Sequence, residues 1–202
     1  AAQTLTEFEV IAVDDASTDK SLEILREYEA RYPKIIKVLA LPENHRQGGA
    51  KNRALEICAG DYIGFIDADD WAAPDMYEKL LKKAQETQAD IVCCHHVITK
   101  EHNYEKEKIQ KDLSEDLFGT ITDDKFRKLI NHTGHMVTKI YARHIFFDPI
   151  LRFPERMFYE DNAIGLEVLH RAGKIEGVEE ALYYYYQHED STVHIVTKER
   201  CE

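Results

Sequence analysis

A short apolar run that ends in three carboxylates constrains the fold of this chain more than any other segment. Residues 62–66 have the length and the aromatic and β-branched content of a buried strand, and Gly60 before them is typical of a turn. Asp67, Asp69 and Asp70 follow directly. Carboxylates at the end of a strand repel one another, so folding alone does not favour them, whereas a divalent cation neutralises them. The segment therefore predicts a site for a metal ion and a diphosphate, with a solvated acidic turn as the alternative.

Composition narrows the class of protein and its partners. With 202 residues, 44% hydrophobic and 32% charged, the chain suits one soluble globular domain with a real core. The net charge of −12 argues against a nucleic-acid partner, and it means that a phosphorylated ligand would need a bound cation. No apolar run approaches the length of a membrane span, which predicts that the chain has no integral membrane segment. The four cysteines form no disulfide framework, which is typical of a reducing cytoplasm.

Strands and helices alternate along the first half of the chain. The predicted strands lie at 8–13, 35–39, 62–66 and 91–98, and the predicted helices follow Ser17, Gly48 and Pro74. This alternation predicts an α/β fold with a doubly wound, mostly parallel sheet, in which ligands bind beyond the carboxyl ends of the strands. Asp14 and Asp15 end one predicted strand just as the three later carboxylates end another. Both acidic groups are therefore expected at the same edge of the sheet.

The second half of the chain is less regular. Residues 99–120 are charged and weakly patterned, which favours a flexible surface loop, with a flap on the acceptor side as the alternative. Thr122 is expected to cap a short helix whose inward face carries Phe126, Leu129 and Ile130. Strands are predicted at 136–141 and 183–186, and a helix is predicted after residue 160. The run Cys-Cys-His-His at 93–96 is interpreted as strand rather than zinc site, since neighbours in a strand point to opposite faces.

Four sequence blocks, in order, resemble the inverting family 2 glycosyltransferases of the GT-A fold. The blocks are Asp-Asp-x-Ser-x-Asp at 14–19, Asn44 with the following Gly-Gly-Ala-Lys-Asn at 48–52, Gly-Asp-Tyr-Ile-x-Phe-x-Asp-x-Asp-Asp at 60–70, and Glu160-Asp161. The segments at 152–154 and 159–161 look most like the branch that builds bacterial capsular or lipid-linked polysaccharide. The resemblance implies a GT-A fold, Rossmann-like, and the transfer of a sugar from a nucleoside diphosphate sugar, UDP-linked, to a hydroxyl of a glycan or lipid-linked acceptor.

The resemblance also implies a role for each candidate residue. It assigns Mn²⁺ or Mg²⁺ to Asp69 and Asp70, the second of which either binds the metal or orients the first. It assigns the general base to Asp161, whose alternative role is that of a helix N-cap. The residues implied to bind the nucleotide sugar are Asp14, Asp15, Lys51 and Asp67, and those implied to contact acceptor or diphosphate are Glu160 and His188. For Asp15 the alternative is a plain cap of the strand end beside Ser17.

The resemblance carries further expectations about organisation and location. Residues 1–98 are expected to form the donor-binding half, and residues 99–202 the acceptor-side half, of one GT-A domain. The expected partners are a nucleotide-sugar donor and a glycan or lipid-linked acceptor, with a homodimer as a further expectation. The expected location is the cytoplasm, with peripheral association at the inner face of the plasma membrane.

The chain departs from the family pattern in two places. Lys51 stands where the family usually has arginine, so the charge is kept and the planar fork is lost. The family begins with a strand and a helix that precede a Gln-Thr pair, and here Gln3 and Thr4 come at the start. The chain is therefore expected to lack the first strand and most of the first helix. Two other functions stay open at this point: a non-catalytic module that binds sugar nucleotides, and a phosphatase of the haloacid dehalogenase type.

Overall fold

The structure is a computed structural model that describes residues 2–99, 108–132 and 135–187. Its helices are α1 (Ser21–Arg31), α2 (Arg46–Ile57), α3 (Met76–Thr87), α4 (Asp123–Leu129), α5 (His144–Phe147) and α6 (Glu160–Arg171). Its strands are β1 (Val10–Asp14), β2 (Ile36–Ala40), β3 (Tyr62–Gly64), β4 (Trp71–Ala72), β5 (Ile91–Thr99), β6 (Lys108–Gln110), β7 (Gly119–Thr120), β8 (Lys139–Ala142) and β9 (Lys174–Tyr186). Across these described residues we find no helix that combines the length and the apolar character needed to cross a bilayer.

The larger sheet is mixed rather than mostly parallel. Its order is β3-β8-β5-β9-β4, with β6 paired to β5 and β7 paired to β9. Within it β5 and β9 run parallel, and the other described pairs are antiparallel. The expectation of a mostly parallel sheet is therefore wrong. Consecutive strand–helix–strand units predict parallel pairing, but β3 here pairs with β8, which comes from much later in the chain.

The first two strands form a separate sheet. Strand β1 pairs parallel to β2, from Val10 opposite Ile36 to Asp14 opposite Ala40. In the described residues neither strand pairs with β3, whose partner is β8. Among the described residues, β2 is therefore the one strand that pairs with β1. Helix α1 covers this small sheet without burying any of its own residues.

Two apolar clusters pack on opposite faces of the larger sheet. Leu80 and Ala84 of α3 pack with Cys94 on one face, whereas Ile164 and Val168 of α6 belong to the cluster on the other face. Cys93 belongs to that second cluster, so the strand interpretation of the Cys-Cys-His-His run is confirmed. The helices on both faces hold the sheet edge at which the acidic residues lie.

The charged segment after β5 is only partly the loop that its sequence predicts. Residues 100–107 lie outside the described part of the chain, but Lys108–Gln110 pair with β5, and Leu113 and Leu117 are buried. The loop prediction is therefore wrong for residues 108–120, because two leucines in a charged stretch suffice to anchor it. The cap of α4 is confirmed, since the Thr122 side chain accepts a bond from the amide of Lys125. Ile130, expected to face inward, is 38% exposed.

The small sheet should open independently of the larger one. We expect the amide hydrogens of β1 and β2 to exchange through opening reactions whose free energy is about 2 kcal/mol or more below that of β5 and β9. The reason is that, in the described residues, β1 is paired along one edge and α1 buries no residue. Native-state hydrogen exchange followed by mass spectrometry measures this difference. Equal protection of β1 and β5 would contradict it.

Candidate active site

The acidic turn after β3 is held in place by the last strand. The backbone N–H of Asp70 donates to the carbonyl of Asp67 at 3.2 Å, which closes the turn. The Tyr183 hydroxyl donates to Asp70 Oδ2 at 2.6 Å, and the backbone N–H of Tyr186 donates to Asp70 Oδ1 at 2.8 Å. The same Tyr183 hydroxyl accepts the backbone N–H of Asp67 at 3.3 Å. The aromatic strand therefore fixes the turn, a role that its sequence did not reveal.

The turn concentrates negative charge in a partly dry environment. Burial raises the pKa of Asp67, which the charges of Asp69, Glu160 and Asp161 raise further and Lys51 lowers. Burial also raises the pKa of Asp70 to about 7, although the hydrogen bonds from Tyr183 and Tyr186 act in the opposite direction. The charge of one carboxylate shifts the pKa of another only when the two lie close together. The structure thus brings the turn together with the Glu160-Asp161 pair, over ninety residues away in sequence.

Lys51 is committed to a buried ion pair. Its ammonium lies 2.6 Å from Glu160 Oε1, and the two side chains are 15% and 5% exposed. The ammonium also lies near the rings of Phe65 and Phe153, at 5.9 and 5.3 Å from their centres. The single amine suffices for this geometry, since one donor meets one carboxylate oxygen. Much of the charge of Lys51 is therefore balanced by Glu160 before any ligand binds.

Asn52 connects α2 to the segment that leads into the Glu160-Asp161 pair. Its side-chain amide donates to the carbonyl of Phe153 at 2.9 Å and its Oδ1 accepts the Phe153 N–H at 2.9 Å, both in the buried interior. A side chain at Gly48 would meet the Pro154 carbonyl at 2.1 Å, so only glycine allows this approach. Sequence reasoning placed Asn52 and Gly48 in a motif but gave them no role. Their partners lie about a hundred residues away, and no feature of the neighbouring sequence identifies these partners.

Asp161 lies in the first turn of α6 without capping it. The cap position is Tyr159, in a left-handed backbone conformation with φ of 58°, and no side chain closes the end of the helix. Asp161 is half-buried, and its Oδ1 accepts the neighbouring N–H of Asn162 at 2.9 Å. The N-cap alternative for Asp161 is therefore wrong. The Asp161 carboxylate therefore does not cap α6.

Asp14 and Asp15 end strand β1 as predicted but have different surroundings. Asp14 is 4% exposed, and its Oδ2 accepts the N–H of Ser17 at 3.3 Å. Asp15 Oδ1 instead accepts the N–H of His45 at 2.8 Å, and the His45 carbonyl accepts the N–H of Arg156 at 3.2 Å. The strand-end cap beside Ser17 is therefore made by Asp14 and not by Asp15. Through His45, Asp15 is connected to the loop that precedes Glu160.

His188 and the divalent cation are the last two components of the predicted site. His188 lies outside the described residues. In the described part of the chain no group of three His, Cys, Asp or Glu side chains converges on one point. Mg²⁺ and Mn²⁺ do not require such a group, since one or two carboxylates, substrate phosphates and water complete their shell. The hard oxygen donors of the turn and the raised pKa of Asp67 fit a divalent cation there.

Comparison with known proteins decides the family. The sequence profile described as Glycosyl transferase family 2 matches residues 1–147. The chain belongs to glycosyl transferase family 2. Among curated relatives of this family member, the glycosyltransferase YibD of Escherichia coli K12 is 29% identical over 194 residues, covering 94% of this chain and 56% of its own length. The glycosyltransferase GlyA of Streptococcus pneumoniae is 30% identical, covering 91% of this chain and 27% of its own length.

Solved structures confirm the GT-A fold. TarS 1–349 of S. aureus in complex with UDP-GlcNAc superposes with a TM-score of 0.79 at 24% identity, covering 97% of this chain and 55% of that one. The mannosyltransferase PcManGT from Pyrobaculum calidifontis, in complex with GDP-Man and Mn²⁺, gives a TM-score of 0.65 at 16% identity, with 94% and 51% covered. This family 2 chain spans about half the length of YibD and about half of the TarS 1–349 chain. Family membership sets aside the phosphatase interpretation.

Proposed function

We propose that this chain forms the donor-binding and catalytic part of a metal-dependent inverting glycosyltransferase. It would move a sugar from a nucleoside diphosphate sugar, UDP-linked, to a hydroxyl of a glycan or lipid-linked acceptor in cell-surface polysaccharide synthesis. The observation that carries the proposal is the position of Lys51, which lies 2.6 Å from Glu160 and 5.9 Å from the ring centre of Phe65. Lys51 thereby brings the start of α6, with Asp161, next to the segment that leads from β3 into the acidic turn. Support also comes from the fold neighbours, of which TarS was solved with UDP-GlcNAc and PcManGT with GDP-Man and Mn²⁺.

We propose that Asp69 holds the cation and that Asp70 orients the turn. Asp69 is exposed, whereas both oxygens of Asp70 already accept hydrogen bonds from β9. A cation bound here would stabilise, as a Lewis acid, the negative charge that develops on the leaving diphosphate. Lys51 contributes positive charge beside Asp67 but cannot replace the cation, because Glu160 already neutralises much of it. Glu160, being buried, holds Lys51 and does not reach an acceptor.

We propose Asp161 as the base that takes the proton of the attacking hydroxyl. The acceptor oxygen bonds to the anomeric carbon as the bond to the diphosphate oxygen breaks, and the hydroxyl proton passes to the Asp161 carboxylate. One displacement inverts the anomeric centre and needs one base only. Asp14, Asp15 and Asp67 are assigned to the nucleotide sugar, with the base and ribose on the β1 side. We further propose that residues 1–98 form the donor-binding half and residues 99–202 the acceptor-side half. We also propose that the protein forms a homodimer and acts at the inner face of the plasma membrane.

A thermal-shift screen tests this function. We expect UDP-sugars to raise the melting temperature of the chain in Mn²⁺ and to have little effect in EDTA, because the diphosphate would otherwise face the uncompensated turn. Release of UDP from a stabilising donor, measured with a mixed glycan acceptor preparation, then separates transfer from binding alone. Stabilisation without any transfer would favour the non-catalytic binding module. A GDP-sugar that stabilises more than every UDP-sugar would overturn the UDP assignment.

A further inference from the structure

A cavity of about 830 Å³ lies beside the first turn of α6, which carries Asp161. Its floor is one face of three adjacent strands, because side chains at alternate positions point the same way. The floor residues are Gln110 and Asp112 at the end of β6, His96 and Ile98 on β5, and Tyr185 and Gln187 at the end of β9. The walls come from Ile130, Asn131, His132, His135 and Asn162. The volume falls in the range of natural pockets for small organic ligands.

The cavity reaches the groups assigned to the chemistry. Asn162, in its wall, is the residue that follows Asp161 and donates its backbone N–H to that carboxylate at 2.9 Å. Tyr185, in its floor, has a pKa raised by burial and then by the charges of Asp70 and the other acids of the turn. The phenol of Tyr185 therefore lies within electrostatic reach of the acidic turn. A ligand in the cavity would therefore lie next to Asn162, the neighbour of the proposed base.

A stacked pair of histidine rings joins the floor of the cavity to one wall. The imidazoles of His96 and His135 stack with ring centres 5.3 Å apart. His135 adopts a left-handed backbone, with φ of 56°, and its carbonyl accepts bonds from Thr138 Oγ1 at 2.9 Å and from Lys139 Nζ at 3.0 Å. Lys139 is itself paired with Asp112 at 2.7 Å in a buried position. These bonds hold the backbone of His135, and with it the stacked pair of rings, in place.

The lining is polar but largely uncharged. Burial, followed by the neighbouring His135, lowers the pKa of His96 to about 4, so its ring is neutral at pH 7. The carboxylate of Asp112 is balanced by Lys139, whereas Lys111, which also lines the cavity, is an exposed residue. Amide side chains supply the other polar contacts: Gln110, Asn131, Asn162 and Gln187. Paired donors and acceptors beside flat rings suit a polyhydroxylated ring, whereas a phosphate or carboxylate would meet exposed Lys111 as the one lysine or arginine among the described lining residues.

We propose that this cavity binds an uncharged saccharide unit of the acceptor, with Tyr185 and the His96–His135 stack against the sugar ring. The inference rests on the proposed transfer function and names its acceptor class. The acceptor hydroxyl would enter from this cavity toward Asp161.

Nuclear magnetic resonance of the whole chain tests the proposal with simple probes. Methyl β-glucoside, methyl β-galactoside and N-acetylglucosamine are added up to about 50 mM, with glucose phosphate as the charged probe. We expect at least one uncharged sugar to move the imidazole signals of His96 and His135 saturably, and glucose phosphate to do so only more weakly. No movement with any uncharged sugar, or tighter binding of the phosphate, would overturn the proposal.

Substitutions in the cavity test whether the sugar binds there. Tyr185→Ala should raise the apparent Kd of the sugar about tenfold or more, and Gln187→Ala should raise it less. Tyr28→Ala, the same change at an exposed tyrosine of α1, should leave it unchanged. If Tyr185→Ala fails to fold by circular dichroism, Gln187→Ala decides, since its backbone bond to Thr99 is kept. Equal Kd values in the wild type and in both cavity variants would contradict the assignment.

A parallel measurement separates this inference from the function on which it rests. The same samples are melted with UDP and Mn²⁺. UDP stabilisation without sugar binding would refute the cavity and leave the donor site standing. Sugar binding without UDP stabilisation would refute the donor site and leave a saccharide-binding surface.

Discussion

Asp161→Asn should lower the rate of sugar transfer by about 10²–10⁴-fold while leaving the affinity for UDP and Mn²⁺ unchanged. The amide has nearly the same size and keeps an oxygen for the bond from Asn162, but it cannot accept the proton of the attacking hydroxyl. Single-turnover transfer and calorimetric UDP titration, carried out on the same preparation, measure the two quantities.

The chain offers a closely matched control for this variant. Asp124 occupies the second position of α4, as Asp161 does in α6, and its side chain is 80% exposed. If Asp161 served only to complement the helix dipole, both substitutions would cost about 0.3–1 kcal/mol of stability, and neither would affect transfer. Near-normal transfer by Asp161→Asn would therefore refute the base assignment. A loss of UDP affinity would instead move Asp161 to the nucleotide side.

The sequence was most informative where chemistry and local structure coincide. The apolar run at 62–66 and the acids after it predicted both a strand end and a site, and the structure places Asp67 and Asp70 in a turn directly after β3. Helices with regular apolar spacing were also found within a few residues of their predicted positions. Such features depend on neighbours in sequence, for which propensity and periodicity are reliable guides.

Pairing over long distances could not be predicted in the same way. The aromatic run in β9 was predicted only as a strand, yet Tyr183 donates to Asp70 across 113 positions of sequence. Strands β4, β6 and β7 are two or three residues long, too short to show alternation. Each adds an antiparallel pair to the larger sheet, beside the two that β8 makes with β3 and β5. Only the fold shows that a tyrosine and an aspartate so far apart form a hydrogen bond.

Asp69→Asn should weaken UDP binding in Mn²⁺ by more than the about 10–100-fold that loss of an outer-shell partner costs, because Asp69 is the proposed direct ligand. In EDTA the same variant should bind UDP at least as tightly as the wild type, since one repelling carboxylate has been removed. Calorimetry in the two buffers measures both affinities. Asp61→Asn, at an exposed acid just before β3, should change neither.

Asp70→Asn separates ligation from orientation. Both Asp70 oxygens accept bonds from β9, so this variant places an amide N–H₂ where an acceptor is required. It should lower the free energy of unfolding by about 1–3 kcal/mol as well as the affinity in Mn²⁺, whereas Asp69→Asn should change affinity alone. Equal UDP affinity of the wild type in Mn²⁺ and in EDTA would refute the metal assignment for the whole turn. An affinity loss in Asp69→Asn that persists in EDTA would show that Asp69 contacts the nucleotide itself, because a metal ligand has no attraction for a diphosphate once the metal is gone.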